Sequence, residues 1–183
     1  MGYKSCIAGA LITYFIIGVM ARSDWDNIGT VVNAISQLKE KSDLVSLEYN
    51  STTVATSTYQ NYKMKAELSS IISGSVEFKT SLNKITYNVD YANKKISVHL
   101  PKTFISTPNI DSTTIKNYDN GSWLLLSTDI RDNMRNQNII SARKFFMDDA
   151  KKDIDIAHKH AIYSIYYDLL KPIEKTGVTV TID

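Results

Sequence analysis

Residues 6–21 (CIAGALITYFIIGVMA) contain no charged side chain, and that stretch divides the chain before any other pattern is considered. Lys4 precedes it, and Arg22, Asp24 and Asp26 close it. An uncharged apolar run of this length reads as a membrane segment. With the α-amine, the near flank carries about two positive charges and the far flank is slightly acidic, so the N-terminus is expected in the cytoplasm and the rest of the chain outside it. As a helix the run extends roughly 24 Å at about 1.5 Å per residue. That is short of a hydrocarbon core of about 30 Å, with Tyr3 and Trp25 available at the two interfaces. A cleaved signal peptide competes with this reading, because Val19 and Met20 lead to the small residue Ala21 at the end of the run. A buried helix of a soluble protein is a third reading. Lipid attachment is disfavoured. Lys4 and Ser5 before Cys6 make no lipoprotein box, and Cys6 stands where a myristoylation signal after Met1 and Gly2 needs Ser or Thr.

About 160 residues remain, enough for one domain with its own core. Lys and Arg number 21 against 19 Asp and Glu, a balance that excludes an electrostatic nucleic-acid footprint. Cys6 is the only cysteine, so a monomeric outer domain forms no disulfide and no thiolate site.

Ile28, Val31, Ile35 and Leu38 recur at helical spacing and predict a short amphipathic helix within residues 27–41, linking anchor to domain. Residues 44–49 (LVSLEY) alternate well enough for a first strand, and the Ser- and Thr-rich residues 50–58 fit either a loop or an edge strand. The clearest β signal lies between Ser75 and Leu100. There Val76 and Phe78, then Ile85, Tyr87, Val89 and Tyr91, then Ile96, Val98 and Leu100 alternate with polar residues. The polar breaks at 81–84 and 92–95 have hairpin length, so three consecutive antiparallel strands are expected, ended by Pro101. Residues 102–122, with Pro108 and Asn120-Gly121, read mainly as an irregular surface loop and the natural place for a binding site. Ser127, Thr128 and Asp129 offer a helix start. Phe146, Ala150, Ile154, Ala157, Ala161, Ile165 and Leu169 then form one apolar helical stripe. Opposite it, Asp148 with Lys152, Lys151 with Asp155, and Asp155 with Lys159 stand at i,i+4. Pro172 and Gly177 end the helix, and residues 178–182 (VTVTI) close the chain as a strand.

Few residue patterns in the chain carry chemistry. No Gly-x-Ser-x-Gly elbow and no phosphate-cradling glycine run is present, and Ser73-Gly74-Ser75 reads as a turn before a strand. His158 and His160 lie near Asp149, Asp153 and Asp155. Positions two apart on a helix point about 200° from each other, so the two histidines cannot chelate one ion from that helix alone. No metal or cofactor is expected. His99 alternates away from Val98 and Leu100 and reads as a rim residue. Tyr49, Tyr59, Tyr62, Tyr87 and Tyr91 suit strand packing better than a stacking surface. The sequons at Asn50 and Asn120 matter only in a eukaryotic secretory pathway.

Several stretches together resemble the bacterial family called domain of unknown function 4230: residues 42–49 (SDLVSLEY), residues 96–102 (ISVHLPK), Ile105, Ile110-Asp111, the long helix and the closing strand. The resemblance covers about residues 30–183. It implies an N-terminal membrane segment and an extracytoplasmic α+β domain, and carries no catalytic residue because the family has no established activity. Where many members carry Gly-x-Asp-Leu before the strand pair, this chain has residues 80–84 (TSLNK).

The expectation is therefore an α+β fold over residues 42–183: an antiparallel sheet of hairpin-connected strands plus the C-terminal strand, packed by a long C-terminal amphipathic helix and preceded by a transmembrane helix within residues 1–26. The expected role is a single-pass, membrane-tethered module of the bacterial envelope that binds a protein or envelope component, with Lys102, Phe104, Asp111 and Tyr118 as the contact residues. Two alternatives stand beside it. One is an envelope hydrolase with acid and base drawn from Glu48, Asp90 or Asp111, and the other is a scaffold subunit that self-associates through an exposed sheet edge. A secreted domain released after Ala21 is the alternative location.

Overall fold

A computed structural model describes residues 28–41, 43–121, 123–171 and 177–183. The apolar segment at 6–21 lies outside the described residues, as does Pro172. Among the described residues no helix is long and apolar enough to cross a membrane. The fold is α+β, with two sheets and long C-terminal helices. It divides into two compact units, one of Tyr49–Glu77 with Ile105–Lys152, the other of the described residues up to Glu48 with Phe78–Phe104 and Asp153–Asp183.

The first unit is built on β1 (Asp43–Gln60) and β2 (Lys65–Ser81), whose greater part it contains. Asn61 closes their hairpin, its Oδ1 accepting from the backbone N–H groups of Lys63 at 2.9 Å and Met64 at 2.7 Å. Hydroxyl pairs bridge the two strands at Thr52–Ser73 (2.8 Å) and Thr56–Ser69 (3.0 Å). β1 pairs with β2, whose other edge takes β5 (Phe104–Ile105), β6 (Asn109–Ile110) and β7 (Lys116–Gly121) in turn. Ala66 lies opposite Gly121, Ile71 opposite Lys116, and Gly74 opposite Ile110. Alternation divides β2 by face. Ala66, Leu68, Ser70, Ile72 and Val76 are buried, and the residues between them are partly exposed.

The helix α2 (Thr128–Ala150) covers the buried face, with Met134, Asn138, Ala142, Phe146 and Ala150 buried at four-residue steps. Ser57 donates its hydroxyl to the Met134 carbonyl at 3.1 Å, and Asn138 Nδ2 reaches the Leu68 carbonyl at 3.0 Å. Ala66, Leu68, Trp123, Leu126 and Met134 form one apolar cluster of this unit.

The second unit places α1 (Ile28–Lys39) in a core with β3 (Thr86–Asp90), β4 (Lys95–His99), α3 (Ile154–Ile165) and β8 (Thr179–Ile182). Val31, Ala34, Ile35 and Leu38 are all buried there beside Ile96, Val98, Ala161, Ile165 and Val180. The helix read as a linker is thus a wall of this core. A π-helical turn at Tyr166–Leu170 extends α3.

Residues 50–58, read as either loop or edge strand, are strand throughout, at the edge of their sheet. Several other expectations are corrected. The three strands expected between Ser75 and Leu100 do not share one sheet. β2 belongs to the larger sheet and β3–β4 to a second, three-stranded one, because the 3-10 turn Leu82–Lys84 redirects the chain. The closing strand β8 runs parallel to β4, not antiparallel, with Ile96 opposite Val180; the helices that intervene supply the crossover a parallel pair needs. Residues 102–122 hold β5, β6 and β7 rather than an irregular loop, since backbone pairing to β2 suffices where side chains supply no apolar signal. Ser73-Gly74-Ser75 is the interior of β2, not a turn. The long helix is two helices joined by a 3-10 turn at Lys151–Asp153. The ion pairs form at i,i+3 instead of i,i+4, Lys151 to Asp148 and Lys152 to Asp149, both at 2.7 Å.

Candidate functional site

On the sheet face of the first unit turned away from α2, an open groove of about 610 Å³ is lined by Asn50, Ser51, Thr52, Ser73, Gly74, Ser75, Asn109 and Asp111. Strand alternation explains the membership of all but Ser51 and Gly74 on β1 and β2. Thr52 and Ser73 bond to each other through their hydroxyls, so both point to this face, and Asn50 and Ser75 lie two residues along the same strands. Asn109 stands opposite Ser75 across the β2–β6 pair. Gly74 makes the approach of β6 possible, because a Cβ there would lie 2.6 Å from the Asn109 carbonyl oxygen and 2.9 Å from the Phe146 ring.

Asp111 closes one end of the groove. Its N–H donates to the Ser73 carbonyl at 3.1 Å, and its Oδ1 accepts from the Thr113 hydroxyl at 2.6 Å and the Thr113 N–H at 3.0 Å. Those two bonds, the hydroxyl's first, hold its carboxyl below the usual carboxylate range. The group is a fixed anion at neutral pH, an acceptor and not a proton donor. It is the single ionisable residue among the eight that line the groove.

Of the four contact residues read from the sequence, Asp111 lines this groove. Tyr118, on β7, lies opposite Ser69, whose hydroxyl pairs with Thr56, so its exposed ring belongs to the same sheet face. Lys102 and Phe104 are exposed in the second unit. Sequence reasoning missed Asn50, Thr52, Ser73, Ser75 and Asn109. Local sequence does not single them out, because Ser and Thr occupy positions 51, 53 and 57 of β1 as well as 52, 56 and 58; the register of β2 with β1 and β6 brings them together.

Of the carboxylates considered for hydrolysis, Asp90 and Glu48 do not line this groove. Asp90 accepts from Asn93 on both oxygens, at 2.7 and 3.1 Å, and the Asn93 side chain leads in holding its carboxyl low. Glu48 is half-buried in the second unit. His99 is about half exposed and pairs with Asp183 at 2.5 Å, as a rim residue would. His158 places Nδ1 3.1 Å from the Thr103 hydroxyl, which also bonds Thr80 at 2.7 Å. Thr103 and Thr80 are buried, so the hydroxyl beside this imidazole is already bonded to a second buried hydroxyl and is turned inward from solvent. Among the described residues no three His, Cys, Asp or Glu gather to hold a metal ion.

No curated protein and no solved structure matches the chain. The family model described as "Protein of unknown function (DUF4230)" matches residues 36–180, the greater part of the sequence, and the chain belongs to that family.

Proposed function

We propose that the chain is a non-catalytic binding module, held at the outer face of the bacterial membrane by residues 6–21, that takes a neutral, hydroxyl-rich envelope component such as a glycan on the solvent face of the first unit's sheet. The groove lining carries this reading. Hydroxyls and amides from Asn50, Thr52, Ser73, Ser75 and Asn109 supply both donors and acceptors, and Asp111 adds one fixed acceptor. Such a set suits a ligand whose own groups are hydroxyls and amides, and its one ionisable group, held as a carboxylate, is an acceptor. Tyr118 lies along the same face, roughly 13 Å from the groove centre by strand rise, where an exposed ring can stack on a second sugar.

The test titrates the full chain in detergent with purified peptidoglycan sacculi and with soluble neutral oligosaccharides, beside the double variant Asp111→Asn, Asn109→Ala. Binding weakened at least about tenfold, with the fold retained, is expected from the loss of the Asn109 amide and of the charge on the Asp111 acceptor. Undiminished binding by the variant would remove the site, and hydrolysis of the glycan by the parent chain would restore the hydrolase reading.

A further inference from the structure

We propose that β1 is a self-recognition edge, and that two copies of this chain pair antiparallel along residues 50–58 about a two-fold axis at Val54. Three independent observations carry it.

The first is the open edge. β1 pairs with β2 alone, and among the described residues no strand of its sheet runs beside its other edge. The hydroxyl bonds Thr52–Ser73 and Thr56–Ser69 fix the hairpin register, and the Asn61 N–H to Met64 carbonyl bond closes it at 2.9 Å. Counting back from that bonded pair, every second residue exchanges hydrogen bonds with β2, which leaves the backbone N–H and C=O of Asn50, Thr52, Val54, Thr56 and Thr58 directed outward. An antiparallel copy satisfies them with about ten backbone hydrogen bonds.

The second is the absence of the devices that natural sheets use to prevent such pairing. Residues 49–60 (YNSTTVATSTYQ) contain no charge, no proline and no glycine, and are mostly strand formers. The opposite edge is treated differently. β7 (KNYDNG) is exposed throughout, carries Lys116 and Asp119, and ends on Gly121 at φ 78°.

The third is the sequence itself, which is nearly palindromic. Reading outward from Val54, the matched positions are Thr53 with Ala55, Thr52 with Thr56, Ser51 with Ser57, Asn50 with Thr58, and Tyr49 with Tyr59. A two-fold pairing centred on Val54 therefore sets threonine against threonine, serine against serine and tyrosine against tyrosine. Val54, 64% exposed and with Thr52 and Thr56 on either side of it along the same strand face, meets its own copy on the axis. Matched β-branched and hydroxyl pairs are among the favourable cross-strand neighbours, and nothing in the segment sets like charges against each other. A two-fold axis makes the same patch serve both partners, which a self-complementary strand does and an unrelated partner has no reason to require.

The pairing is tested on the full chain in detergent by sedimentation and by cross-linking in a Cys6→Ser background. Val54→Cys should oxidise to a covalent dimer, since opposed residues on an antiparallel ladder lie within disulfide reach. Thr52→Cys should do so only when mixed with Thr56→Cys. Val54→Lys places like charges on the axis and should weaken the dimer about tenfold or more while leaving the fold intact, and an equal mixture with Val54→Glu should restore it. A monomer at about 1 mM overturns the proposal. So does a dimer indifferent to Val54→Lys, the result expected if residues 6–21 associate within a shared micelle. The Val54→Lys variant keeps every residue of the groove, so glycan binding and self-pairing stand or fall separately.

Discussion

Asn138 donates its Nδ2 amide to the Ser70 hydroxyl at 2.8 Å, with both side chains 1% exposed. Ser70 in turn donates to Asn117 Oδ1 at 2.7 Å, so one polar chain runs from α2 through β2 to β7. β7 presents only exposed residues to solvent and has no apolar face of its own with which to dock. The chain from Asn138 thus supplies specificity of placement where burial cannot. Asn138→Ala should cost about 1–3 kcal/mol by leaving buried partners unbonded, lowering the melting temperature by several degrees. Amide hydrogen exchange should rise first along Lys116–Gly121.

Gly74→Ala tests how the groove is made. The added methyl would stand 2.6 Å from the Asn109 carbonyl and 2.9 Å from the Phe146 ring, one a backbone atom and the other a fully buried side chain, so neither yields easily. A loss of about 1–3 kcal/mol is expected from overpacking. Because Asn109 and Asp111 are carried by the displaced segment, the proposed glycan binding should fall together with stability. Ser75→Ala, which leaves the backbone approach alone, should leave the melting temperature nearly unchanged.

Asp149 gives the first unit a measurable dependence on acid. Its carboxylate accepts from Lys152 at 2.7 Å and from the Tyr49 hydroxyl, and these bonds, Lys152's first, hold its pKa below the ordinary 3.8. A carboxyl whose pKa is lower folded than unfolded contributes stability that is fully present above the unfolded value and disappears as pH falls through the folded one. The stability difference between the parent chain and Asp149→Asn should therefore be constant above about pH 5 and shrink toward zero in stronger acid. Tyr49→Phe should raise the Asp149 titration midpoint, read by carboxyl NMR, without reaching 3.8 because Lys152 remains.

What the sequence made legible follows the contrast between apolar and polar neighbours. Ile28, Val31, Ile35 and Leu38 marked α1, and Tyr87, Val89, Ile96 and Val98 marked the β3–β4 hairpin, whose antiparallel register sets Tyr87 opposite Val98. The stripe from Phe146 to Ile165 names residues that are buried except Ile154, which is partly exposed, and it crosses from one unit to the other at the turn after Ala150, a break that periodicity alone does not register. Contrast vanishes in β1, where Thr and Ser stand on both faces, and in β7, where every residue is exposed. Backbone pairing makes those strands, and the groove lies where they meet β2. Asp111 was visible because it follows Ile110 in a recognisable step, whereas Asn50, Ser73 and Asn109 acquire meaning only from register. The parallel placement of β8 beside β4 is likewise a matter of long-range pairing that no local pattern encodes.

Ala161 offers the sharpest test of the second unit. It is fully buried on α3, one turn from Ala157 and one from Ile165, in the cluster that also holds Val31 and Ile35 of α1. A small residue at the centre of a helix contact lets neighbouring elements approach closely, and a larger one forces them apart. Ala161→Leu should destabilise this unit by about 1–3 kcal/mol, and the amides of Ile28–Lys39 should lose exchange protection before those of β3 and β4. His160→Leu, at the exposed adjacent position, should change stability by less than about 0.5 kcal/mol. Equal effects from the two substitutions would show that α1 does not pack on this face of α3, and that its buried stripe is covered by something other than Ala161 and its neighbours.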